Sequence, residues 1–247
     1  MKISIVTATY NSSDTVLSAL ESIQQQSYSN YEHILVDGKS SDLTLERVRD
    51  YAMPNQIISS EKDQGIYDAL NKGIGLASGD VVGFLHSDDF FPSNDVLTLI
   101  ADAFRDSSIK MCFGDLAYVH PINPTKIIRL WRAGEFSKRS LQWGWMPPHP
   151  TLYVRRDILM KNLFNLKYSI SADYDQILRL FRRESEHSVY IPRELVHMRL
   201  GGESNKSFRN ILTKSYEDLK ALRANKVGGV ATLALKNVRK IPQFWSV

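Results

Sequence analysis

The first half of the chain alternates short apolar runs with stretches of helical spacing. Apolar and β-branched residues dominate 3–7, 31–36, 56–58 and 81–85. Between these runs, apolar residues recur every three or four positions, as they do from Ile66 to Ala77, which is the pattern of an amphipathic helix. This repeated strand–helix order predicts an α/β fold with a doubly wound, mostly parallel sheet.

The alternation weakens after about residue 110. Residues 111–119 and 127–131 have the composition of strands, whereas 142–150 is rich in Trp and Pro and predicts a loop. Helical spacing returns after Ser171 and again from Phe208. We find neither an internal repeat nor a linker composition, so we expect one domain with a helical C-terminal tail.

Composition excludes several classes of protein. The chain has 247 residues, of which 43% are hydrophobic and 23% are charged, as in an ordinary globular protein. Its net charge of +4 is spread along the sequence, so we expect no nucleic-acid partner. Cys112 is the single cysteine, which fits a reducing compartment. No apolar run has the length of a signal-peptide core or a membrane span, and we therefore expect a cytoplasmic protein.

Polar residues cluster where the predicted strands end. Open parallel sheets bind ligands outside the carboxyl ends of their strands, so these positions are candidates for a binding site. The same residue types also fill turns and helix caps for purely structural reasons, and for any single loop that alternative stays open. The candidates after the first, second and fourth strands, and before the third helix, are Thr7, Thr9, Asn11, Asp37, Asp88, Asp89 and Asp63.

The adjacent carboxylates Asp88 and Asp89 predict a site for a divalent cation. Oxygen ligands suit Mg²⁺ or Mn²⁺, and these ions are commonly held by one or two carboxylates together with the phosphates of a ligand. The sequence contains neither of the glycine-rich phosphate-binding motifs G-x-x-x-x-G-K-[ST] and G-x-G-x-x-G. A P-loop enzyme and an NAD enzyme are therefore disfavoured, and the cation would be the main contact to a diphosphate.

The order and spacing of several segments resemble those of family 2 glycosyltransferases, especially the small bacterial enzymes of capsule, O-antigen and exopolysaccharide assembly. The resemblance covers about residues 1–120 and continues more weakly around Ser171–Arg179. It implies a GT-A fold and a nucleotide-sugar donor, most often a UDP-sugar. The segments that carry it are 3–11 (ISIVTATYN), 36–42 (VDGKSSD), 63–74 (DQGIYDALNKGI), 79–80 (GD) and 86–89 (HSDD).

The same resemblance implies a division of the chain and a role for each candidate. Residues 1–206 would form the glycosyltransferase domain, with a nucleotide-binding half at 1–110 and an acceptor half at 111–206, followed by a tail at 207–247. In the family pattern Asp37 grips the uracil, Asp63 lies beside the base, and Thr7, Thr9 and Asn11 line the nucleoside pocket. Asp89 would bind the metal, and Asp88 the ribose, the metal or a metal-bound water. His86 departs from the pattern, because many members have Asp or Asn there.

Family members of this type invert the configuration at the anomeric carbon. Asp173 matches the aspartate that these enzymes have at the start of a late helix. We expect Asp173 to be the general base that accepts the proton of the acceptor hydroxyl. A helix N-terminus favours its ionised form. Two alternatives stay open: Asp173 could be a helix cap only, and Asp175 could be mistaken for the base.

Weaker candidates for contacts to the acceptor or the diphosphate are His149, Arg179 and Trp145. Each also has a purely structural alternative. His149 could be a histidine in a rigid loop, Arg179 a salt-bridge partner and Trp145 a buried aromatic ring. The segment 201–204 (GGES) is either a lid over the donor or a plain turn.

The tail from Val227 has apolar residues at helical spacing beside Lys236, Arg239 and Lys240, and ends with Phe244 and Trp245. A basic amphipathic stretch of this kind can contact the inner membrane surface, where a lipid-linked acceptor would lie, or it can pack on the catalytic domain.

The sequence therefore predicts a metal-dependent glycosyltransferase acting on a saccharide or lipid-linked acceptor. Two other functions stay open. A nucleotidyltransferase that makes an activated sugar would need a glycine-rich, basic first loop, which residues 8–11 (ATYN) lack. The presence of Asp37, Asp88, Asp89 and Asp173 together argues against a nucleotide-binding subunit without turnover.

Overall fold

The computed structural model describes residues 1–137, 139–201, 208–240 and 243. Within them, nine strands form one mixed sheet that helices cover on both faces. The strands are β1 (Ile3–Thr9), β2 (Tyr31–Asp37), β3 (Gln56–Ser60), β4 (Val81–Phe84), β5 (Asp89–Phe90), β6 (Met111–Val119), β7 (Ile127–Trp131), β8 (Tyr153–Arg155) and β9 (Ser188–Arg199). The helices are α1 (Val16–Gln24), α2 (Thr44–Tyr51), α3 (Ile66–Leu76), α4 (Val96–Ala103), α5 (Arg156–Met160), α6 (Ala172–Glu184), α7 (Phe208–Ala224) and α8 (Val230–Val238).

The carboxyl ends of the parallel strands lie at one edge of the sheet. The strand order is β3-β2-β1-β4-β8-β6-β9-β5, with β7 paired to the second half of β6. Strands β1 to β4 are mutually parallel, and β8 runs antiparallel to both β4 and β6. Because β9 is parallel to β6, the carboxyl ends of β1, β2, β4, β6 and β9 lie at the same edge.

The predicted α/β fold with a mostly parallel sheet is confirmed, and the strands predicted in the first half are all present. The sequence analysis missed β5, β8 and β9 and the helices α4 and α5. Strands β5 and β8 contain only two and three residues, which is too short for any periodicity. Strand β9 is long, but it contains Pro192 and a register shift opposite Gly114 and Asp115, so its side chains do not alternate regularly between the two faces.

Apolar side chains fill both faces of the sheet. Ile3 and Ile5 of β1 point towards α1 and α2, whereas Val6 points towards α3. Helix α3 lies close to the sheet at Gly73, where an added Cβ atom would be 2.3 Å from Val6 Cγ1. This close approach of helix and strand requires glycine at position 73.

The C-terminal helices share the core of the rest of the chain. Ala221, Leu222 and Val227 belong to the same apolar cluster as the buried face of α6. Helix α8 is shorter than the predicted amphipathic stretch, and Lys236 points inward, where its Nζ lies 2.6 Å from Asp218 Oδ2. The sequence predicted Lys236 in an outward basic face. Lys236 instead forms a buried ion pair.

Three predicted tail residues, Ile241, Phe244 and Trp245, lie outside the described residues. Within the described part of the chain, none of the helices combines the length and the apolar character needed to cross a membrane.

A buried histidine links β1 to β2. His33 has no exposed surface, and its Nε2 lies 2.9 Å from Thr7 Oγ1, while the Gln56 side-chain amide donates to Nδ1 over 3.0 Å. Since the amide nitrogen is a donor, Nδ1 is the acceptor and Nε2 carries the proton. Burial lowers the pKa of His33 to about 3, so the ring is neutral in the folded protein at neutral pH.

We predict that His33 makes the fold sensitive to mild acid. The unfolded chain takes up a proton near the ordinary pKa of 6.5, whereas the folded chain does not until about pH 3. The free energy of unfolding should therefore fall by about 1.4 kcal/mol from this residue between pH 7.5 and 5.5. Urea unfolding of wild type and His33→Gln at both pH values measures this difference, and an equal loss in the two proteins would contradict it.

Candidate active site

The acidic loop after β4 contains a buried carboxylate with no hydrogen-bond partner. Asp89 is 1% exposed, and neither of its carboxylate oxygens accepts a hydrogen bond from the described residues. Burial and the neighbouring Asp88 carboxylate raise the pKa of Asp89, although the backbone and guanidinium of Arg199 oppose this rise. Asp88 is partly exposed, and Arg199 donates to its backbone carbonyl over 2.6 Å. The loop therefore presents one exposed and one buried acid at the sheet edge.

Asp89 is an exception among the buried acids of the described residues. The other buried carboxylates each have at least one hydrogen-bond or ion-pair partner, and they are Glu32, Asp37, Asp115, Asp175, Glu217 and Asp218. An uncompensated buried carboxylate costs folding free energy, so its retention indicates a ligand of opposite charge.

A hard divalent cation fits this loop. Both Asp89 oxygens are available, and Asp88 adds a second carboxylate that reaches solvent. No group of three or more His, Cys, Asp or Glu side chains able to hold a metal exists among the described residues. The remaining ligands would therefore be water and the phosphate oxygens of a nucleotide.

Asp173 lies in the first turn of α6, where it is the second helical residue and not the N-cap. Asp173 Oδ1 accepts a hydrogen bond from the backbone N–H of the next residue, Tyr174, over 2.7 Å. It also accepts one from the Tyr67 hydroxyl over 3.3 Å. Oδ2 accepts none from the described residues, so it can accept a proton. The N-cap position belongs to Ser171, so the predicted alternative of a simple cap does not describe this residue.

Asp175 has a different environment from Asp173. It is buried, and its carboxylate is held by Arg179 Nε at 2.9 Å and by the Asn225 amide at 2.8 Å. Asp175 is thus a structural residue that joins α6 to the end of α7. Arg179 is engaged in the same pair and also donates to the Leu163 carbonyl over 2.7 Å, which matches the salt-bridge alternative for this residue.

Two histidines lie between the acidic loop and α6. The charges of Asp88 and Asp173 both act on His86, and Asp173 also acts on His149, so these side chains surround one region. Burial lowers the pKa of both rings, that of His149 to about 4. His149 stacks on Phe84 with a centroid separation of 5.1 Å. It is therefore uncharged at neutral pH, so any contact of His149 to a diphosphate would be that of a neutral ring.

The predicted nucleoside loops lie beside the acidic loop, because Ser87 Oγ donates to Ser12 Oγ over 2.9 Å. Asn11 has a φ of 48°, and its Oδ1 accepts the Ser41 N–H over 2.9 Å, which joins the loops after β1 and β2. Thr9 is 4% exposed, and its hydroxyl has no partner among the described residues. Thr7 is fully buried against His33. Lining of the nucleoside pocket by Thr7 was predicted, but the strand directs this side chain into the core.

The Asp37 carboxylate is occupied by its own loop. It is fully buried and accepts the backbone N–H groups of Lys39 and Ser40 and the hydroxyl groups of Ser40 and Ser60, the last over 2.6 Å. Four donors leave little capacity for a base, and a fifth contact would require this loop to rearrange.

Asp63 offers an available carboxylate beside Asp37. Its Oδ1 accepts the Gly65 N–H over 2.9 Å, whereas Oδ2 accepts no hydrogen bond from the described residues. Oδ2 lies over Gly38, where an added Cβ would be 2.6 Å away, and the exposed Tyr10 ring borders the same place. Asp63, Gly38 and Tyr10 therefore form a small pocket with one free acceptor.

Trp145 lies in the core and not on an open surface. It is 3% exposed, its Nε1 donates to the Ala133 carbonyl over 2.7 Å, and its ring packs edge-on against Phe113, Phe136 and Phe181. Stacking on a sugar needs an exposed face, so the structure favours the buried-aromatic alternative. Of the predicted lid 201–204, only Gly201 lies within the described residues.

Sequence analysis missed Glu217, which fixes the loop before Asp173. The Glu217 carboxylate on α7 accepts the backbone N–H groups of Ser169, Ile170 and Ser171 over 2.9 to 3.0 Å. Despite the opposing effect of burial, these bonds lower the pKa of Glu217. The signal was present as one of the two acids in an otherwise basic tail, but its partners lie 46 to 48 positions away in the sequence.

The family model described as "Glycosyl transferase family 2" matches residues 4–188, which is most of the chain. The chain belongs to this family. It is accordingly a nucleotide-sugar-dependent glycosyltransferase, and the predicted family and enzyme class are confirmed.

This glycosyltransferase is 33% identical over 183 residues to a PGL/p-HBAD biosynthesis glycosyltransferase of Mycobacterium tuberculosis, covering 72% of this chain and 69% of the relative. Its fold is similar to that of S. aureus TarS 1–349 solved in complex with UDP, with a TM-score of 0.69 and 18% identity over 96% of this chain and 69% of TarS 1–349. The mannosyltransferase PcManGT from Pyrobaculum calidifontis, solved with GDP-Man and Mn²⁺, has a TM-score of 0.68 and 17% identity, covering 99% of this chain and 73% of that protein.

We predict opposite effects on stability for two buried acids of the glycosyltransferase. In EDTA, Asp37→Asn should lower the free energy of unfolding by about 1–3 kcal/mol, because an amide nitrogen then faces donors. Asp89→Asn should leave it unchanged or raise it, because neither Asp89 oxygen accepts a hydrogen bond and the cost of burying the charge exceeds the attraction of Arg199.

Urea unfolding of both variants beside wild type is the measurement. A loss of stability in Asp89→Asn as large as that in Asp37→Asn would show that Asp89 has a structural partner in the metal-free protein.

Proposed function

We propose that the protein is a metal-dependent, inverting glycosyltransferase that moves a sugar from a UDP-sugar to a saccharide or lipid-linked acceptor. One observation carries this proposal. Asp173, which has a free carboxylate oxygen, and Asp88, the neighbour of the unpartnered Asp89, both act on His86, and Asp89 and Asp173 both act on Tyr118. The acidic loop and Asp173 therefore face one region, as donor activation and acceptor deprotonation require. Mn²⁺ or Mg²⁺ would be held by Asp89 and Asp88, and PcManGT, with the same fold, was solved with Mn²⁺.

Each residue has one role in the proposed reaction. Asp173 Oδ2 accepts the proton of an acceptor hydroxyl while that oxygen bonds to the anomeric carbon of the donor. The bond from the anomeric carbon to the diphosphate oxygen breaks on the opposite face, which inverts the configuration and releases UDP. A cation held by Asp88 and Asp89 would neutralise charge on the departing diphosphate. Tyr67 and the backbone of Tyr174 hold the base in position.

The pocket of Asp63, Gly38 and Tyr10 supports recognition of uracil. Uracil has an N3–H donor between two carbonyl groups, and the free Asp63 Oδ2 is an acceptor of matching type. We assign uracil recognition to Asp63 in place of Asp37, because the Asp37 oxygens already accept hydrogen bonds from four donors, two backbone N–H groups and two hydroxyl groups.

The acceptor and the location of the enzyme belong to the same proposal. Exposed apolar residues on α7 and α8 support contact with the cytoplasmic membrane surface, namely Ile211, Leu212, Tyr216, Val230 and Val238. Polysaccharide assembly follows from the sequence resemblance, whereas the mycobacterial relative is named for PGL/p-HBAD biosynthesis. We propose a cytoplasmic enzyme that works at the membrane face on a saccharide or lipid-linked acceptor.

We predict that UDP binds with Mn²⁺ in preference to GDP, CDP and ADP in calorimetric titration, and that omitting Mn²⁺ weakens UDP binding at least tenfold. Asp63→Asn should weaken UDP binding about tenfold or more, because a charged acceptor is replaced. Glu61→Gln is the matched control, since this residue is exposed and pairs only with Lys72 at 3.2 Å. Absence of metal-dependent binding of any of the four nucleotides by folded protein would contradict the proposal.

We predict that Asp173→Asn lowers kcat about 10²–10⁴-fold while UDP affinity stays unchanged, because only proton transfer is lost. Asp157→Asn is the matched control, since Asp157 also occupies the second position of a helix, is exposed and should retain activity. Release of UDP from UDP-sugars in the presence of saccharide acceptors provides the rate. Wild-type turnover in Asp173→Asn would exclude Asp173 as the base.

A further inference from the structure

A second, cationic cavity lies outside the acidic loop. Its volume is about 190 Å³, and it is bounded by the end of β7, residues 144–146 and helix α8. Arg132, Arg239 and Lys240 line it together with the half-buried Trp131. The cavity adjoins helix α6, because Lys236 in its wall lies 3.4 Å from the centroid of the Tyr174 ring, and Tyr174 follows Asp173 directly.

The cations of this cavity lack carboxylate partners. Glu217 and Asp218 are the only acids between residues 207 and 247, and both are buried. Glu217 is held by the loop before α6, and Asp218 pairs with Lys236. Arg132, Arg239 and Lys240 therefore form no ion pair among the described residues, although Asp115 attracts Arg132 and Asp218 attracts Lys240 at longer range.

Neighbouring cations repel Lys240. Burial and the nearby Lys236 and Lys214 lower the pKa of Lys240 to about 8. Packing like charges together costs free energy that a bound anion would recover. These cations and the Asp89 carboxylate, which have opposite charges, would thus both be stabilised by a bound ion of the other sign.

We infer that this cavity binds the phosphate or diphosphate group of a phosphorylated saccharide acceptor and so holds the acceptor beside Asp173. The inference rests on the proposed function and names the class of acceptor. Arginine forks and lysine ammonium groups bind phosphate oxygens with charge-assisted hydrogen bonds. A multiply charged phosphate suits a site with three unpaired cations better than a single carboxylate does. The Trp131 ring provides an aromatic surface for the attached sugar.

The neighbouring larger cavity does not suit an anion. Its volume is about 530 Å³, and it lies on the other side of residues 130–132. Asp115 and Glu194 line it, and their carboxylates would repel a phosphate. Arg132 lines both cavities, so the anion-binding character belongs to the cavity in which Arg239 and Lys240 lie beside it and acids do not.

Calorimetric titration of full-length protein with inorganic diphosphate in EDTA tests the inference. We expect wild type and Asp89→Asn to bind diphosphate equally, since the cavity does not include the acidic loop. The double variant Arg239→Gln with Lys240→Gln should bind at least tenfold more weakly. The double variant Arg223→Gln with Lys226→Gln removes the same charge from exposed positions at the end of α7 and should bind as wild type does.

Several outcomes would overturn the inference. These are no diphosphate binding by wild type, loss of binding in Asp89→Asn only, and equally tight binding of galacturonate, which would indicate a site for any anion. Sedimentation with vesicles containing phosphatidylglycerol forms a second arm. If Arg239 and Lys240 are needed for vesicle binding but not for diphosphate binding, the cations contact a lipid surface instead. UDP titration with Mn²⁺ of the Arg239/Lys240 double variant should match wild type, and it tests the proposed function separately.

Discussion

The structure depends on how each carboxylate removed from water is compensated. Buried acids of this chain are paired with backbone amides, hydroxyl groups or cations, and several of these pairs join distant segments. Glu217 is the most consequential of them, because three backbone amides before α6 are fixed by a side chain from α7. The position of the proposed base Asp173 therefore depends on the C-terminal helices. The tail therefore helps to position the start of α6.

The exceptions to this pattern coincide with proposed function. Asp89 is buried with no hydrogen-bond partner, and Arg132, Arg239 and Lys240 form a cationic group with no ion pair to a carboxylate among the described residues. Both arrangements cost folding free energy in the absence of a ligand of opposite charge. A cation at the first and an anion at the second would bracket the start of α6. A donor diphosphate and an acceptor phosphate would then be held at separate places, with Asp173 between them.

Residue types at single positions did not reveal the division of roles among the acids. Asp37 and Asp63 are both acids near strand ends, and the sequence resemblance places Asp37 on the uracil and Asp63 beside it. The tertiary structure fills the Asp37 oxygens with donors from residues 39, 40 and 60 and leaves Asp63 Oδ2 available. Likewise Asp173 and Asp175 are two positions apart, yet the helix directs them to different neighbours. Only Asp175 is held by Arg179 and Asn225.

The sequence by itself determined the parallel first half of the sheet, the loops at its carboxyl edge and the family. These follow from local periodicity and from motifs in which each residue is near its neighbours in the chain. The structure alone decided that Thr7 and Trp145 are buried, that Lys236 points inward, and that β9 lies between β6 and β5. Each of these depends on contacts between residues far apart in sequence. Local patterns specify which positions are apolar, whereas the partner of a buried polar group is set only when distant elements pack together.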